Sequence, residues 1–245
     1  MKQEVELEIF EDPRALASGF ALWFYNFVNS RPKTNVALSG GSTPKLFFQV
    51  LSNEYKDRID WSGIQFFWGD ERCVPPDHQD SNYLMTRKNL FDHIGIPSKN
   101  VHRILGESDP EKEAQRYGQE IGDVLSHRDS LPVFDLIILG LGSDGHTASI
   151  FPDQMHLLQD AGYCQVAIHP DSGQQRITLT GKVINQADNI CFLVAGEGKS
   201  GVVGEILNKT GDWEKYPASY IHNSGGSLHW FLDRGAASVF QNGKN

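Results

Sequence analysis

Four times along this chain a short apolar run stops at a glycine or a charged residue and a helix start follows. This recurrence limits the fold more than any single motif. The runs are Val36 to Leu38, Ile64 to Trp68, Phe134 to Leu139 and Ile190 to Ala195, and they end in SGGSTP, GDERCVP, GLGSDGH and GEGK. Apolar runs without alternation suit strands buried on both faces, as in a parallel sheet. Strand, loop and helix in repetition predict a three-layer α/β/α fold, with a mostly parallel sheet and helices on both faces. Ligands of such open sheets bind outside the carboxyl ends of the strands, so the four loops are expected to share one edge.

The other segments fit around that frame. Val5, Leu7 and Ile9 alternate with glutamates, the pattern of an edge strand, and Asp12 with Pro13 opens a helix to about Asn29 whose Trp23, Phe24, Phe27 and Val28 belong to the core. Thr43 is expected as a helix cap with Pro44 at the first helical position. Ser81 caps a helix that begins at Asn82 and turns Tyr83, Leu84, Leu90 and Phe91 inward. Val101 to Leu105 reads as a strand, and Asp109 with Pro110 opens an amphipathic helix to about Leu125. His127 and Arg128 fall in a solvated turn. Arg176 to Thr180 forms a strand with a cation at its start, Leu228 to Leu232 a last strand, and Asp233 begins a closing helix. No internal repeat or low-complexity segment interrupts the 245 residues, and residues 1–245 are read as one domain.

Composition narrows the partners. A formal charge of −9 argues against a nucleic-acid surface, and 39% apolar with 22% charged residues is ordinary for a globular chain. A phosphorylated ligand would need local cations, because salt screens exposed charges beyond about 8 to 10 Å. Cys73, Cys164 and Cys191 are widely spaced and odd in number, which indicates neither a disulfide framework nor a paired-cysteine metal site. They suit a reducing cytosol. The start MKQEVELEIF carries three glutamates and no long apolar core, and no 18-residue apolar run occurs. The expectation is a soluble cytoplasmic protein without membrane association, a monomer or homodimer.

The loops carry the chemistry. Gly40, Gly41, Ser42 and Thr43 bring amides and hydroxyls to a helix N-terminus, where the dipole favours an anion; the alternative is an unoccupied cap, and the phosphate-loop pattern GxxxxGK[ST] is absent. Asp70, Glu71 and Arg72 are three charges directly after a buried run, with a structural ion pair as the plainer explanation. Gly140, Gly142 and Gly145 permit positive φ and close approach of a ligand, and Asp144 and His146 put two ionisable groups beside them. A plain strand-to-helix turn would look similar. Lys199 near a helix start opposes the dipole preference and points to an anionic ligand, and Arg176 adds a second cation. His156 and His169 lack partners at metal-ligand spacing and are read as loop residues.

In order, GGSTP at 40 to 44, DERCVP at 70 to 75 followed by Ser81 and Asn82, GLGSDGHTASIFP at 140 to 152 and RITLT at 176 to 180 resemble the 6-phosphogluconolactonase family. The likeness runs through nearly the whole chain to LHWFLD near its end. It implies a fold like that of glucosamine-6-phosphate deaminases and ribose-5-phosphate isomerases. It also implies hydrolysis of 6-phospho-D-glucono-1,5-lactone, the second step of the oxidative pentose phosphate pathway. The deaminase/isomerase group shares GGSTP and GxGxDGH, but there the glycine loop runs on into Asn, Glu and Pro and the charged triplet is DEY. Here Ser149, Ile150, Phe151, Pro152 and DER stand instead. Two departures from the usual lactonase pattern are Ser200 and Gly201 after Lys199, where alanine and an acidic residue are common, and Arg234 after Asp233.

Lactone hydrolysis requires a nucleophilic water, stabilisation of the tetrahedral oxyanion and protonation of the departing ring oxygen. The resemblance makes His146 the general base, since an imidazole titrates at about 6.5 in model peptides. Asp144 or Asp70 orients it or orders the water, and the residues do not choose between them. Glycine-loop amides are oxyanion donors. Arg176, Lys199, Ser42 and Thr43, with Gly40 and Gly41, hold the 6-phosphate, while Arg72 joins them or contacts the sugar. No metal or redox cofactor is required, because the lactone carbonyl is already activated. The partner is a small phosphorylated sugar lactone. The competing functions are a glucosamine-6-phosphate deaminase/isomerase and a non-catalytic sugar-phosphate sensor.

Overall fold

The computed structural model describes residues 5–241. Its frame is a six-stranded parallel sheet built from β1 (Val5–Phe10), β2 (Thr34–Leu38), β3 (Ile64–Trp68), β7 (Leu136–Leu139), β10 (Asn189–Val194) and β11 (Ser227–Asp233), in the order β1-β11-β10-β7-β2-β3. All four residues of β7 are buried, as a central strand covered on both faces requires. By contrast Val5, Leu7 and Ile9 of the edge strand remain 41–44% exposed.

Neighbouring residues of a strand point to opposite faces, and their contacts identify the two helical layers. Phe231 of β11 meets Phe20 of α1 (Pro13–Asn29), which also meets Phe47 of α2 (Ser42–Val50). Phe66 of β3 reaches Phe91, just beyond α3 (Asn82–Asn89), on this same side. On the opposite face Phe67 packs near Tyr117 of α4 (Pro110–Val124), and Trp230 stacks on Phe192 beside α6 (Ser200–Asn208). The Tyr117 hydroxyl accepts from Trp68 N at 2.8 Å and donates to Trp68 O at 3.1 Å, so one buried side chain satisfies the backbone at the end of β3. The three-layer expectation holds.

Five local expectations are corrected, the last of them at His127 and Arg128. Asp70 to Arg72 is not a loop: it is strand β4, paired antiparallel with β9 (Gln175–Leu179), and β9 pairs in turn with β8 (Cys164–Ile168). This small sheet stands apart from the main one because Gly69 turns the chain, donating to Leu38 O at 2.8 Å while accepting from Leu179 N at 2.8 Å. Val101 to Leu105 makes only a single bridge, Val101 to Phe66; beyond it the backbone bonds to side chains of α4, Arg103 O accepting from Arg116 Nη2 at 3.2 Å and Leu105 N donating to Glu113 Oε1 at 2.7 Å. Thr43 lies inside α2; Gly41, at φ +108°, occupies the cap, a conformation open to glycine. Asp233 caps a turn through Ala236 N, and the last helix, α7, follows only at Ser238–Gln241.

His127 and Arg128 form β5 (His127–Arg128), a two-residue strand paired with β6 (Leu131–Pro132) through a turn with Asp129 and Ser130 at positive φ; Arg128 is ion-paired with Asp188. The short α5 (Gly181–Asn185) completes the elements. No helix among the described residues is long and apolar enough to cross a membrane.

Sheet order places the site. From β2 the chain steps outward to β3 on one side, whereas β7, β10 and β11 step outward on the other. The loops after β2 and β7 therefore diverge at the switch in strand order, which opens a crevice at the carboxyl edge.

Candidate active site

The crevice has two adjoining lobes. One, of about 210 Å³, is lined by Asp70, Arg72, Asn82, His146, Arg176 and Lys199 together with the glycine loops. The other, of about 220 Å³, lies over the start of α2 between Gly40 to Pro44, the end of β10 and Lys199. Every residue expected to bind or react lines one lobe or both except Asp144, which stands behind His146. The structure nevertheless divides the expected phosphate set: Arg72 and Arg176 face the first lobe, Ser42 and Thr43 the second, and Lys199 both.

The loop after β7 is tied to itself. Gly142 N donates to His146 O at 2.8 Å, Gly145 N to Gly142 O at 3.2 Å and Thr147 Oγ1 to Gly140 O at 2.9 Å. This tight crossing leaves no room at Gly142, where a Cβ would lie 2.1 Å from His146 Nδ1. His146 Nδ1 is 2.6 Å from Asp144 Oδ1, and the ring tilts against Phe151 at 4.8 Å. Asp144 therefore holds the Nδ1 side and leaves Nε2 as the imidazole's second working nitrogen. Burial acts to raise the Asp144 carboxyl, but the bond and charge of His146 outweigh it and bring the group down to about 2.

A titration follows from those opposed causes. In the native protein Asp144 should stay ionised as pH falls through 4, and its stabilising contact with His146 should be lost only near pH 2, because its folded value lies below the ordinary 3.8. In a His146→Ala variant the side-chain bond and the imidazole charge are gone while burial and the backbone N–H bonds remain, so Asp144 should protonate at a higher pH than in the wild type. Carboxyl-carbon NMR of the labelled protein reads both; the same midpoint in the two proteins would refute the coupling.

The cations come from β4, β9 and the loop after β10. Arg72 and Arg176 lie directly opposite each other across β4 and β9, a like-charge pairing that destabilises a sheet unless something is placed between. Among the described residues neither is ion-paired with a carboxylate. The Nε of each is buried without a hydrogen-bond partner. Arg72 Nη1 donates to Asp80 O at 2.5 Å, and the Arg176 guanidinium carbon lies 5.5 Å from the Phe151 ring centre. Burial lowers Arg176, opposed by Asp70, and burial likewise lowers Lys199, opposed by Asp144.

Asp70 and Glu71 have different surroundings. Asp70 lines the first lobe and its Oδ2 accepts from Ser149 Oγ at 2.7 Å, whereas the carboxylate bonded to His146 Nδ1 is that of Asp144. Glu71 is turned away: it accepts from the N–H groups of Arg72, Asn82 and Tyr83 at 2.7–2.8 Å and from Ser81 Oγ at 3.0 Å, which fastens α3 to β4. The plainer alternative, an ion pair within this triplet, does not occur among the described residues. Fastening α3 also sets Asn82, whose Nδ2 donates to Asp70 O at 2.9 Å and whose Oδ1 would lie 1.9 Å from a Cβ at Gly40. Asn82 and Ser149 are site residues that sequence reasoning used only as pattern markers; the signal was their fixed place within the motifs.

His169 sits edge-on to Phe151 at 5.2 Å. Among the described residues no group of three His, Cys, Asp or Glu side chains could hold a metal. A larger cavity of about 620 Å³ runs between α4 and Tyr163, but none of the motif residues lines it and no Lys or Arg does either.

The geometry has counterparts. Residues 12–230 match the family model described as glucosamine-6-phosphate isomerases/6-phosphogluconolactonase. A 6-phosphogluconolactonase of Aggregatibacter actinomycetemcomitans is 45% identical over 206 residues, which covers 84% of this chain and 87% of the relative. The crystal structure of devB protein superposes with a TM-score of 0.92 at 41% identity, covering 96% of this chain and 99% of that one. The 6-phosphogluconolactonase from Trypanosoma brucei superposes at 0.86 with 28% identity, over 97% and 99% of the two chains. Sequence, fold and the convergence of the four loops agree, and the chain belongs to the glucosamine-6-phosphate isomerase/6-phosphogluconolactonase family.

Proposed function

We propose that this protein hydrolyses 6-phospho-D-glucono-1,5-lactone to 6-phospho-D-gluconate. The observation that carries the reading is the Asp144–His146 pair at the wall of a lobe that also holds two arginines, Arg176 buried and Arg72 half-buried, neither of them ion-paired with a carboxylate among the described residues. With Nδ1–H directed to Asp144, Nε2 of His146 takes a proton from water as the water oxygen adds to the lactone carbonyl. The oxyanion so formed is stabilised by backbone N–H groups of the loops at the switch point, where the amino terminus of α2 adds its dipole. The tetrahedral centre then collapses, the bond to the ring oxygen breaks, and the imidazolium returns its proton to that oxygen. Arg72, Arg176 and Lys199 hold the phosphate dianion, arginine offering two-pronged contacts and lysine a point charge. Ser42 and Thr43 lie behind Lys199 at the start of α2.

The deaminase reading is disfavoured by one residue. When the SIFP segment is aligned on its proline with the deaminase pattern, the glutamate falls at Phe151, a fully buried ring against His146. Side-by-side assays decide: lactone loss above the spontaneous rate in a pH-controlled cell, and ammonia release from glucosamine 6-phosphate. Acceleration of the first alone is expected. Ammonia release without lactonase activity would replace the reading with the deaminase, and tight ligand binding without either turnover would replace it with a sensor.

A further inference from the structure

We infer that Ser149 is a positioning residue of the anion site, whose hydroxyl keeps the Asp70 carboxylate and the Arg176 guanidinium apart so that the arginine stays open to the substrate's phosphate. The inference deepens the reading above and rests on it. Ser149 is fully buried, with Asp70 at 5% and Arg176 at 9% exposure beside it. Its Oγ donates to Asp70 Oδ2 at 2.7 Å and accepts from Arg176 Nη1 at 3.5 Å. The position of that hydroxyl is fixed from two sides. Ser149 N donates to Thr178 Oγ1 at 3.2 Å, Thr178 is the register partner of Asp70, and the preceding Ala148 is held at φ +49°.

A carboxylate and a guanidinium in a dry wall attract strongly and default to a direct two-pronged pair. Such a pair would occupy the arginine donors that an arriving phosphate needs. The serine hydroxyl satisfies one oxygen of Asp70 and leaves Arg176 Nε without a partner. With no carboxylate closed onto it, the part of the Arg176 guanidinium that lines the first lobe keeps its donors for an arriving anion. Ser149 thus sets affinity for the anion rather than the rate of the chemical step.

The test uses inorganic phosphate as the probe, with binding measured by calorimetry, alongside lactone kinetics. Ser149→Ala lets Asp70 close onto Arg176, so phosphate affinity should weaken about tenfold, the scale of one charge-assisted hydrogen bond. KM for the lactone should rise by a similar factor, with a smaller change in kcat. Adding Asp70→Asn to Ser149→Ala removes the charge that captures the arginine and should restore phosphate affinity to within about threefold, a recovery that a merely structural serine would not give. Unchanged phosphate affinity in Ser149→Ala, or an equal loss in the single and double variants, overturns the inference. Should Ser149→Ala fail to fold by circular dichroism, Ser149→Cys, a near-isostere with a weak thiol donor, reads the same direction. Wild-type protein that binds phosphate but does not accelerate lactone loss would refute the functional reading, while the phosphate series would still judge Ser149.

Discussion

Replacing His146 by alanine is expected to lower kcat by about 10²–10⁴, the usual yield of general acid–base catalysis, with KM changed by no more than a few-fold. The reason lies in how few structural tasks the ring performs. Its side chain is 27% exposed, its Nδ1 is bonded to Asp144 and its face rests on Phe151. The loop crossing is made by the His146 backbone, whose carbonyl accepts from Gly142 N. An alanine keeps that bond, so the fold should survive and the loss should lie in the proton-transfer step. The cations proposed to bind the phosphate come from other elements. Rates must be taken at controlled pH with spontaneous hydrolysis subtracted; turnover equal to the wild type would remove His146 from the mechanism.

The second large effect comes from a residue with no side chain. Gly142→Ala would place a Cβ 2.1 Å from His146 Nδ1 and 2.3 Å from Asp144 Oδ1, in the middle of the pair. Neither partner can yield while keeping the 2.6 Å contact, and the backbone bond from Gly142 to His146 fixes the glycine itself. We expect kcat to fall by about 10² or more, because the imidazole loses the contact that selects its tautomer and direction, again with KM nearly unchanged. Gly95→Ala is the control: a Cβ there meets nothing within 4 Å, and its activity should match the wild type. Full activity in Gly142→Ala would mean that the observed Asp144–His146 geometry is not the working one.

These two substitutions differ in how they are found. His146 is visible in the sequence because a glycine-rich break after a buried apolar run leaves few places for an imidazole except the carboxyl edge of a sheet. The importance of Gly142, as against Gly140 in the same motif, depends on which Cβ direction meets the dyad, and that is a property of the folded loop. The cap at the start of α2 shows the same limit. Thr43 has the right chemistry for a cap, yet the left-handed φ at Gly41 starts the helix before it. Three adjacent charges in β4 argue against a strand on propensity alone; pairing with β9 overrides that preference. Val101 to Leu105 has strand composition but finds a partner for only one residue.

The sequence by itself determined the fold class, the positions of the main strands along the chain, the four loops and the family resemblance, because burial on both faces, glycine-terminated runs and linked motifs leave a local signature in the chain. It also placed Asp144 two residues from His146 in one loop, without choosing between Asp144 and Asp70 as the partner of the imidazole. Only the tertiary structure decided which aspartate bonds the imidazole, how the residues proposed to bind the anion divide between two lobes, and that Arg72 and Arg176 face each other with no ion pair to either among the described residues. Those facts arise from pairings between strands far apart in the chain. Register, twist and the turn at Gly69 set them, and no local pattern of residue types encodes the distance between two side chains brought together that way.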